Sequence, residues 1–396
     1  MSFESKLRDT QETLRKQGID GWLLYDFHRN NSLAVEFLEI PADTMLTRRL
    51  LYWIPAQGEP VRVVHKVDST VLNHLPGEKY AYSSWQEYEK KVEDLLKDAK
   101  KVAMEYSPRN RIPYVSKVDA GTIDMVRDCG VEVVTSAAFL QRHTSVLDEG
   151  QMRSHFEAAE VVSGAVEKAW VMIGQSLKKG QSINEYQVQQ FIMDEFRSNG
   201  CVWEGDPIVA VNEHSADPHF APTPNNSREI KEGDFILIDL WCKKNEERAV
   251  YADITRVGVA AASPTERQKE IFSIVKQARD EALDLVRQRF SNGASLMGWE
   301  VDQKTREVIT ASGYDEFFTH RTGHSIDRDL HGTGAHIDNL ETQDQREVLE
   351  ATCFSVEPGI YLPDEFGVRL ELDVLIGADR TVSVTGGEQK EIRCLL

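Results

Sequence analysis

Cysteine is scarce in this chain and nowhere paired. The five cysteines, Cys129, Cys201, Cys242, Cys353 and Cys394, are odd in number and scattered, with no Cys-x-x-Cys spacing. That argues against a disulfide framework and a thiolate zinc site, and it fits a reducing compartment. Long apolar runs are also missing. No stretch approaches the roughly 20 apolar residues that span a bilayer. Met-Ser-Phe-Glu-Ser-Lys opens a charged amphipathic helix and not an apolar leader. Positive charge is in deficit: 46 Lys and Arg face 65 Asp and Glu, for a net charge of −19. A surface of that sign repels nucleic acid and anionic membranes, so neither is expected as a partner. The expected location is the cytoplasm.

What is present is a globular composition, 41% hydrophobic and 28% charged over 396 residues, long enough for two domains. Residues 1–147 alternate helix and strand patterns. Helices are expected near Phe3–Lys16, Trp85–Lys97 and Gly121–Cys129, and strands at Gly21–Asp26, Leu50–Pro55, Val61–Val67, Lys101–Tyr106 and Val131–Thr135. This is an α/β domain without a phosphate-binding glycine loop or a cluster of ligand residues. From 148 to 396 the pattern turns to long helices separated by hairpins. One helix runs from Glu149 to about Met172. A second opens on Ser182-Ile-Asn-Glu185, read as a capping box, a third on Ser263-Pro264-Thr-Glu266, and a fourth covers Trp299–Ala311. Helices covering a curved antiparallel sheet, an α+β arrangement, are expected there.

Two carboxylate pairs within this second part share one spacing. Asp239 and Asp253 are 14 positions apart, as are Glu357 and Glu371. Each pair lies in two β-patterned runs about a polar turn. Folding each hairpin about its midpoint, 246 or 364, sets the two acids opposite each other on one face. Asp239 lies in Ile-Leu-Ile-Asp-Leu-Trp and Glu371 in Val-Arg-Leu-Glu-Leu. Unpaired charge in such apolar surroundings costs several kcal/mol, and a cation between the acids removes the cost. Six of the 11 histidines fall between 214 and 336, with His320, His324 and His331 in one glycine-containing run best read as loop or short strands. His219 lies in a proline-stiffened loop, a common place for functional groups. His214 and His336 are read as scaffold. Arg256 and Arg369 are read as cations that steady a carboxylate ligand, and Asp373 as solvated at a strand end. Four acids and one imidazole converging in this way predict a dinuclear metal site.

The segments Leu237-Ile-Asp239, Tyr251-Ala-Asp253-Ile-Thr-Arg256, Gly323-His324-Ser-Ile, Ser355-Val-Glu357-Pro-Gly-Ile-Tyr361 and Gly367-Val-Arg-Leu-Glu371 resemble the pita-bread metallopeptidases. That family includes methionine aminopeptidase, aminopeptidase P, prolidase and the metal-free creatinase. The preceding α/β domain resembles the N-terminal domain of the creatinase, prolidase and aminopeptidase P branch. The resemblance implies a hydrolase for Xaa-Pro bonds, peptide or small-molecule substrates and a homodimer. It implies two divalent ions, manganese foremost, with cobalt, iron or zinc as alternatives. Asp239 would be a bidentate ligand of one ion, Asp253 and Glu371 would bridge, and His324 and Glu357 would complete the other shell. Ions so held activate a water, with Glu357 as proton shuttle to the leaving nitrogen. His219 and His331 match histidines that stabilise the tetrahedral intermediate, and His320 one that lines the substrate pocket. Arg369, Arg328 and Arg321 are candidates for holding a substrate carboxylate.

The chain also departs from the family pattern. Trp241 stands where glycine is usual two residues after the first aspartate, and the hairpin to Asp253 is about three residues longer than usual. Asp327 takes a common glycine position, and Gly332 replaces an acid that often follows the second histidine. Other chemistry on the same scaffold, a C–N hydrolase or metal-dependent lyase, is the second reading, and a non-catalytic binding protein the third. Relatives of the metal-free and non-catalytic kinds lose the ligand acids that this chain keeps.

Overall fold

Side-chain caps and apolar strand runs set the elements of the first part of the chain. A computed structural model describes residues 2–396, which divide into two compact units at residues 144 and 145, slightly before the expected 147/148 boundary. In the first unit the helices are α1 (Phe3–Gln17), α2 (Ser32–Phe37), α3 (Trp85–Leu96), α4 (Ala120–Asp128) and α5 (Ala137–Thr144). The strands are β1 (Gly21–Asp26), β2 (Leu50–Pro55), β3 (Val61–His65), β4 (Glu78–Tyr82), β5 (Lys101–Met104) and β6 (Glu132–Thr135). They form one mixed sheet in the order β4-β3-β2-β1-β5-β6. Every residue of β1 is buried, because its two faces feed separate cores. Trp22 and Leu24 pack with Phe37 and Phe139, whereas Leu23 and Tyr25 pack with Tyr88 and Val92. Glu105 is buried among these side chains and accepts hydrogen bonds from Trp22 Nε1 (2.6 Å), Asn31 Nδ2 (2.7 Å) and Ser136 Oγ (3.0 Å). Three donors make that burial tolerable.

The second unit begins with α6 (Glu149–Lys178) and α7 (Glu185–Ser198), followed by β7 (Cys201–Val202), β8 (Ile208–Val211), β9 (Phe235–Lys244) and β10 (Ala252–Val259). Then come α8 (Glu266–Ser291), α9 (Gly298–Ala311) and the short β11 (Ser325–Ile326). The chain ends in β12 (Cys353–Val356), β13 (Gly359–Leu362), β14 (Phe366–Arg369), β15 (Leu372–Ile376), β16 (Val382–Thr385) and β17 (Arg393–Cys394). Pairing is antiparallel apart from β17, which runs parallel to β10 at one edge. Alternation along β9 assigns its faces. Ile236, Ile238, Leu240 and Cys242 join Val162, Trp170 and Ile192 beneath α6 and α7. The opposite face carries Leu237, Asp239 and Trp241.

Two helix starts differ from the expected ones. For α7 the cap is Asn184 with Gln187, not Ser182 with Glu185. Glu185 is instead a buried acceptor for the backbone N–H groups of Val211 and Arg228 and for His214 Nδ1. For α8 the cap is Thr265 with Gln268, so Pro264 precedes the cap.

Candidate metal centre

The two hairpins do not fold alike. In the first, Asp239 pairs with Thr255 and Asp253 with Trp241, so the acids are diagonal neighbours two residues out of the expected register. The shift is even, so both still point to one face. In the second, Gly359 pairs with Arg369 and Val356 with Leu372, which leaves Glu357 opposite Glu371 as expected. The ladder is interrupted at that place, where Pro358 has no N–H to contribute. The freed backbone groups pair elsewhere. Glu371 N–H donates to Thr255 O (3.4 Å), and Glu357 N–H donates to Thr322 O (2.7 Å). One contact ties the second ribbon to β10, and the other ties it to the segment that carries His324. Gly323 fits there because a Cβ would lie 1.9 Å from Ser355 O.

Atoms of Asp253, His324 and Glu371 thereby lie within 4.8 Å of one another, all buried. His324 Nε2 is 3.6 Å from Asp253 Oδ2 and 3.4 Å from Glu357 Oε1. His324 Nδ1 faces Ser325 O at 3.2 Å, so Nδ1 carries the proton and the Nε2 lone pair faces the carboxylates. Burial, with His331 and Arg321 nearby, keeps this ring neutral, its pKa well below the ordinary value. Burial raises Asp253 well above the carboxylate range, reinforced by Asp239, Asp373 and Glu357. Glu371 is raised in the same way by burial, then Asp253, Glu357 and Asp239. Glu357 is pushed up to about 7, chiefly by burial. Asp253 Oδ1 and Glu371 Oε1 are buried with no hydrogen-bond partner. Lone pairs therefore face lone pairs, an arrangement that a divalent cation satisfies and that no donor here does.

Thr255 and Arg369 hold the acids in place. Thr255 Oγ1 lies 3.0 Å from Asp239 Oδ1 and 2.8 Å from Glu371 Oε2. Arg369 donates from Nη2 to Asp239 Oδ2 (2.5 Å), from Nε to Thr255 Oγ1 (3.0 Å) and from Nη1 to Tyr361 Oη (2.8 Å). Its guanidinium is thus committed to the acid cluster and not aimed at an open cleft, contrary to the expectation of a substrate carboxylate clamp. His320 is likewise occupied: Nδ1 faces Arg321 O (2.7 Å) and Nε2 faces Tyr361 Oη (2.7 Å). The ring is half-buried, and its pKa is lowered to about 3, chiefly by desolvation and then by Arg369. His219 and His331 are exposed, and the His331 ring stands edge-on to that of His324 at 4.4 Å between centroids.

Two further expectations change. Arg256 donates to the carbonyl oxygens of Thr255, Glu371, Gly386 and Gly387, so it anchors backbone and no carboxylate. Asp373 is fully buried, not solvated, and accepts the N–H of Asp253 (2.9 Å). Asp327 and Gly332 are neighbours: a Cβ at Gly332 would lie 2.6 Å from Asp327 Oδ2, so the carboxylate fills the space that a side chain at 332 would need. That carboxylate accepts the N–H groups of Asp329 (2.8 Å) and Thr333 (2.9 Å). His214, against Glu185 and stacked on Phe220, is scaffold as read, and His336 accepts the Ser325 N–H. Thr255, Tyr361 and Ser355 were not singled out from the sequence. The polar positions beside the acids in Asp253-Ile-Thr255 and Ser355-Val-Glu357 were the available signal, through strand alternation.

A curved, largely antiparallel β unit that gathers buried acids around one imidazole is the pita-bread arrangement of a metal-dependent peptidase. The model of metallopeptidase family M24 matches residues 153–378, and the chain belongs to that family. It is 29% identical over 192 residues to an Xaa-Pro dipeptidase of Lactobacillus helveticus, a match covering 48% of this chain and 45% of that protein. Matches to the curated relatives cover less than two thirds of their length. The fold matches dipeptidase PepE from Mycobacterium ulcerans with a TM-score of 0.71 at 20% identity, over 99% of this chain and 98% of that one. It matches a prolidase from Thermococcus sibiricus with a TM-score of 0.64 at 22% identity, over 100% and 99%. Among the described residues no helix is long and apolar enough to cross a membrane.

Proposed function

We propose that this chain hydrolyses Xaa-Pro peptide bonds, as a dipeptidase or an aminopeptidase of the P type, with two divalent ions held by Asp239, Asp253, His324, Glu357 and Glu371. The observation that carries this reading is the cluster of buried, unpartnered acid oxygens facing an imidazole lone pair. When bound, such ions supply an activated water and polarise the amide carbonyl. Oxygen-rich ligation with one imidazole suits manganese, cobalt, iron or zinc, and of these we take manganese, as the family resemblance implies.

The remaining roles fall to side chains of the chain itself. Glu357 is the most open of the three acids around His324, and a carboxyl with its pKa raised to about 7 is suited to pass a proton to the departing nitrogen. His219 and His331, both exposed, would hold the scissile carbonyl as charge develops on it. His320, Tyr361 and Arg369 act as positioning residues in one hydrogen-bonded line ending on Asp239. A catalytic domain at 148–396 behind a creatinase-like domain at 1–147, a homodimer and a cytoplasmic location belong to the same reading.

The test is activity of metal-depleted protein resupplied with Mn²⁺, Co²⁺ or Zn²⁺ on Ala-Pro, longer Xaa-Pro peptides and controls without proline. Cleavage restricted to Ala-Pro identifies a dipeptidase, and cleavage restricted to longer substrates identifies the aminopeptidase. Turnover of neither, with metal bound, defeats the reading.

A further inference from the structure

The ladder between β9 and β10 fixes the order of groups along the floor of the site. Asp239 pairs with Thr255 and Trp241 with Asp253, so these four point to one face. Lys243 follows on that face by strand alternation, and its side chain meets the Tyr251 ring. Trp241 therefore lies between the ligand acids and the Lys243–Tyr251 pair, where the ammonium sits 4.7 Å from the tyrosine ring centroid. Its indole N–H donates to Glu204 O at 2.6 Å, and the ring packs against both apolar clusters on this face of the sheet. The hydrogen bond and the packing fix its orientation. Asp239 and Asp253 are buried, but Trp241 remains partly open. A molecule seated over the acids thus meets the indole as its neighbour.

The two ends of this row differ in charge. Arg369 lies over the Asp239–Thr255 end. Beyond Trp241 stand exposed Glu204, whose carbonyl accepts the indole N–H, and exposed Asp329, next to Arg328, whose carbonyl accepts from Lys243 Nζ. The two carboxylates there outnumber the Lys243 ammonium, so a free α-ammonium is drawn to that end. A short peptide lying along the row then places its first residue against Trp241.

We propose that the Trp241 indole is the wall that limits the size of the substrate's amino-terminal side chain, making the enzyme selective for peptides with a small first residue. This rests on the peptidase reading above and adds to it a residue that sets specificity. The ring fills volume beside the acids, so a bulky first side chain has to displace a packed, hydrogen-bonded indole. Truncating the ring opens that space.

The test compares Gly-Pro, Ala-Pro, Leu-Pro and Phe-Pro on manganese-loaded wild type, Trp241→Ala and Trp241→Phe, with far-UV circular dichroism to confirm folding. The wild type is expected to favour Ala-Pro over Phe-Pro by about tenfold or more in kcat/KM, the range that pocket-size discrimination reaches. Trp241→Ala should lose most of that preference through KM for the bulky substrates, and Trp241→Phe should fall between. An equal Ala-Pro to Phe-Pro ratio in wild type and Trp241→Ala overturns the proposal. A second readout is calorimetric binding of free L-alanine and L-phenylalanine to the same manganese-loaded proteins. Discrimination in the wild type that disappears in Trp241→Ala supports the wall even where no peptide is cleaved, in which case the hydrolase reading alone has failed. Equal binding, or none, overturns the wall.

Discussion

The hydroxyl of Thr255 has a single proton, yet it lies 3.0 Å from Asp239 and 2.8 Å from Glu371. Because it also accepts from Arg369 Nε, it can donate to only one of the two acids. Asp239 has Arg369 as a second partner, whereas Glu371 Oε1 has none. Glu371, like Asp253, therefore depends on a cation for its unpartnered oxygen. Glu371→Ala is expected to lose at least one metal ion per chain by elemental analysis after reloading, and metal content equal to that of the wild type would defeat the proposed role of Glu371 as a ligand. The four acids stood out because charged side chains recurred at equal spacing inside apolar strand runs, and the structure gathers Asp253, Glu357 and Glu371 about His324. Thr255 and Tyr361 did not stand out, since their importance depends on contacts among segments distant in sequence. The diagonal offset of Asp253 was hidden for a similar reason. The hairpin from Lys244 to Ala252 does not close about the midpoint that equal spacing predicts.

At the scale of elements, long amphipathic patterns gave helix bodies reliably but placed two starts wrongly. Ser182-Ile-Asn-Glu185 satisfies a capping-box pattern, but so does Asn184 with Gln187 two residues later, and local sequence alone does not choose between them. The choice is tertiary: Glu185 is drawn inward to satisfy Val211, His214 and Arg228, which leaves Asn184 and Gln187 to exchange the cap bonds. Asn184→Ala should therefore destabilise the protein by about 1 kcal/mol, the usual value of an N-cap. Ser182→Ala should change little. Urea unfolding midpoints at unchanged slope measure both, and an equal effect of the two substitutions would contradict the cap assignment. The interruption at Pro358 makes a related point. The second ribbon read as one hairpin, and its register does run through, but the missing N–H splits it into two ladders, and the Glu371 and Glu357 N–H groups turn to β10 and to the segment before His324.

For the whole molecule, pH and metal content are linked, and the sign follows from the protonation of buried groups. His143 and His155 are held neutral in the fold by burial, each with its pKa lowered to about 4. In the window between about 4 and 6.5 the unfolded chain binds more protons at these rings, so this contribution to stability grows as pH rises. It is the same with or without metal and cancels in a comparison. The site acids behave oppositely. In metal-free protein Glu357 is raised to about 7, and Asp253 and Glu371 are raised further beyond the carboxylate range. Their contribution is full below about 4 and is lost as pH climbs through the raised values. Metal binding requires the same acids deprotonated, so it releases protons and strengthens as pH increases. The difference in melting temperature between manganese-loaded and dialysed metal-free protein is therefore expected to widen steadily from about pH 5 to pH 8 at fixed metal concentration. Thermal scans of both forms across that range measure it. A difference that stays constant would mean that these buried acids do not bind the ion, whatever the ion's effect on turnover.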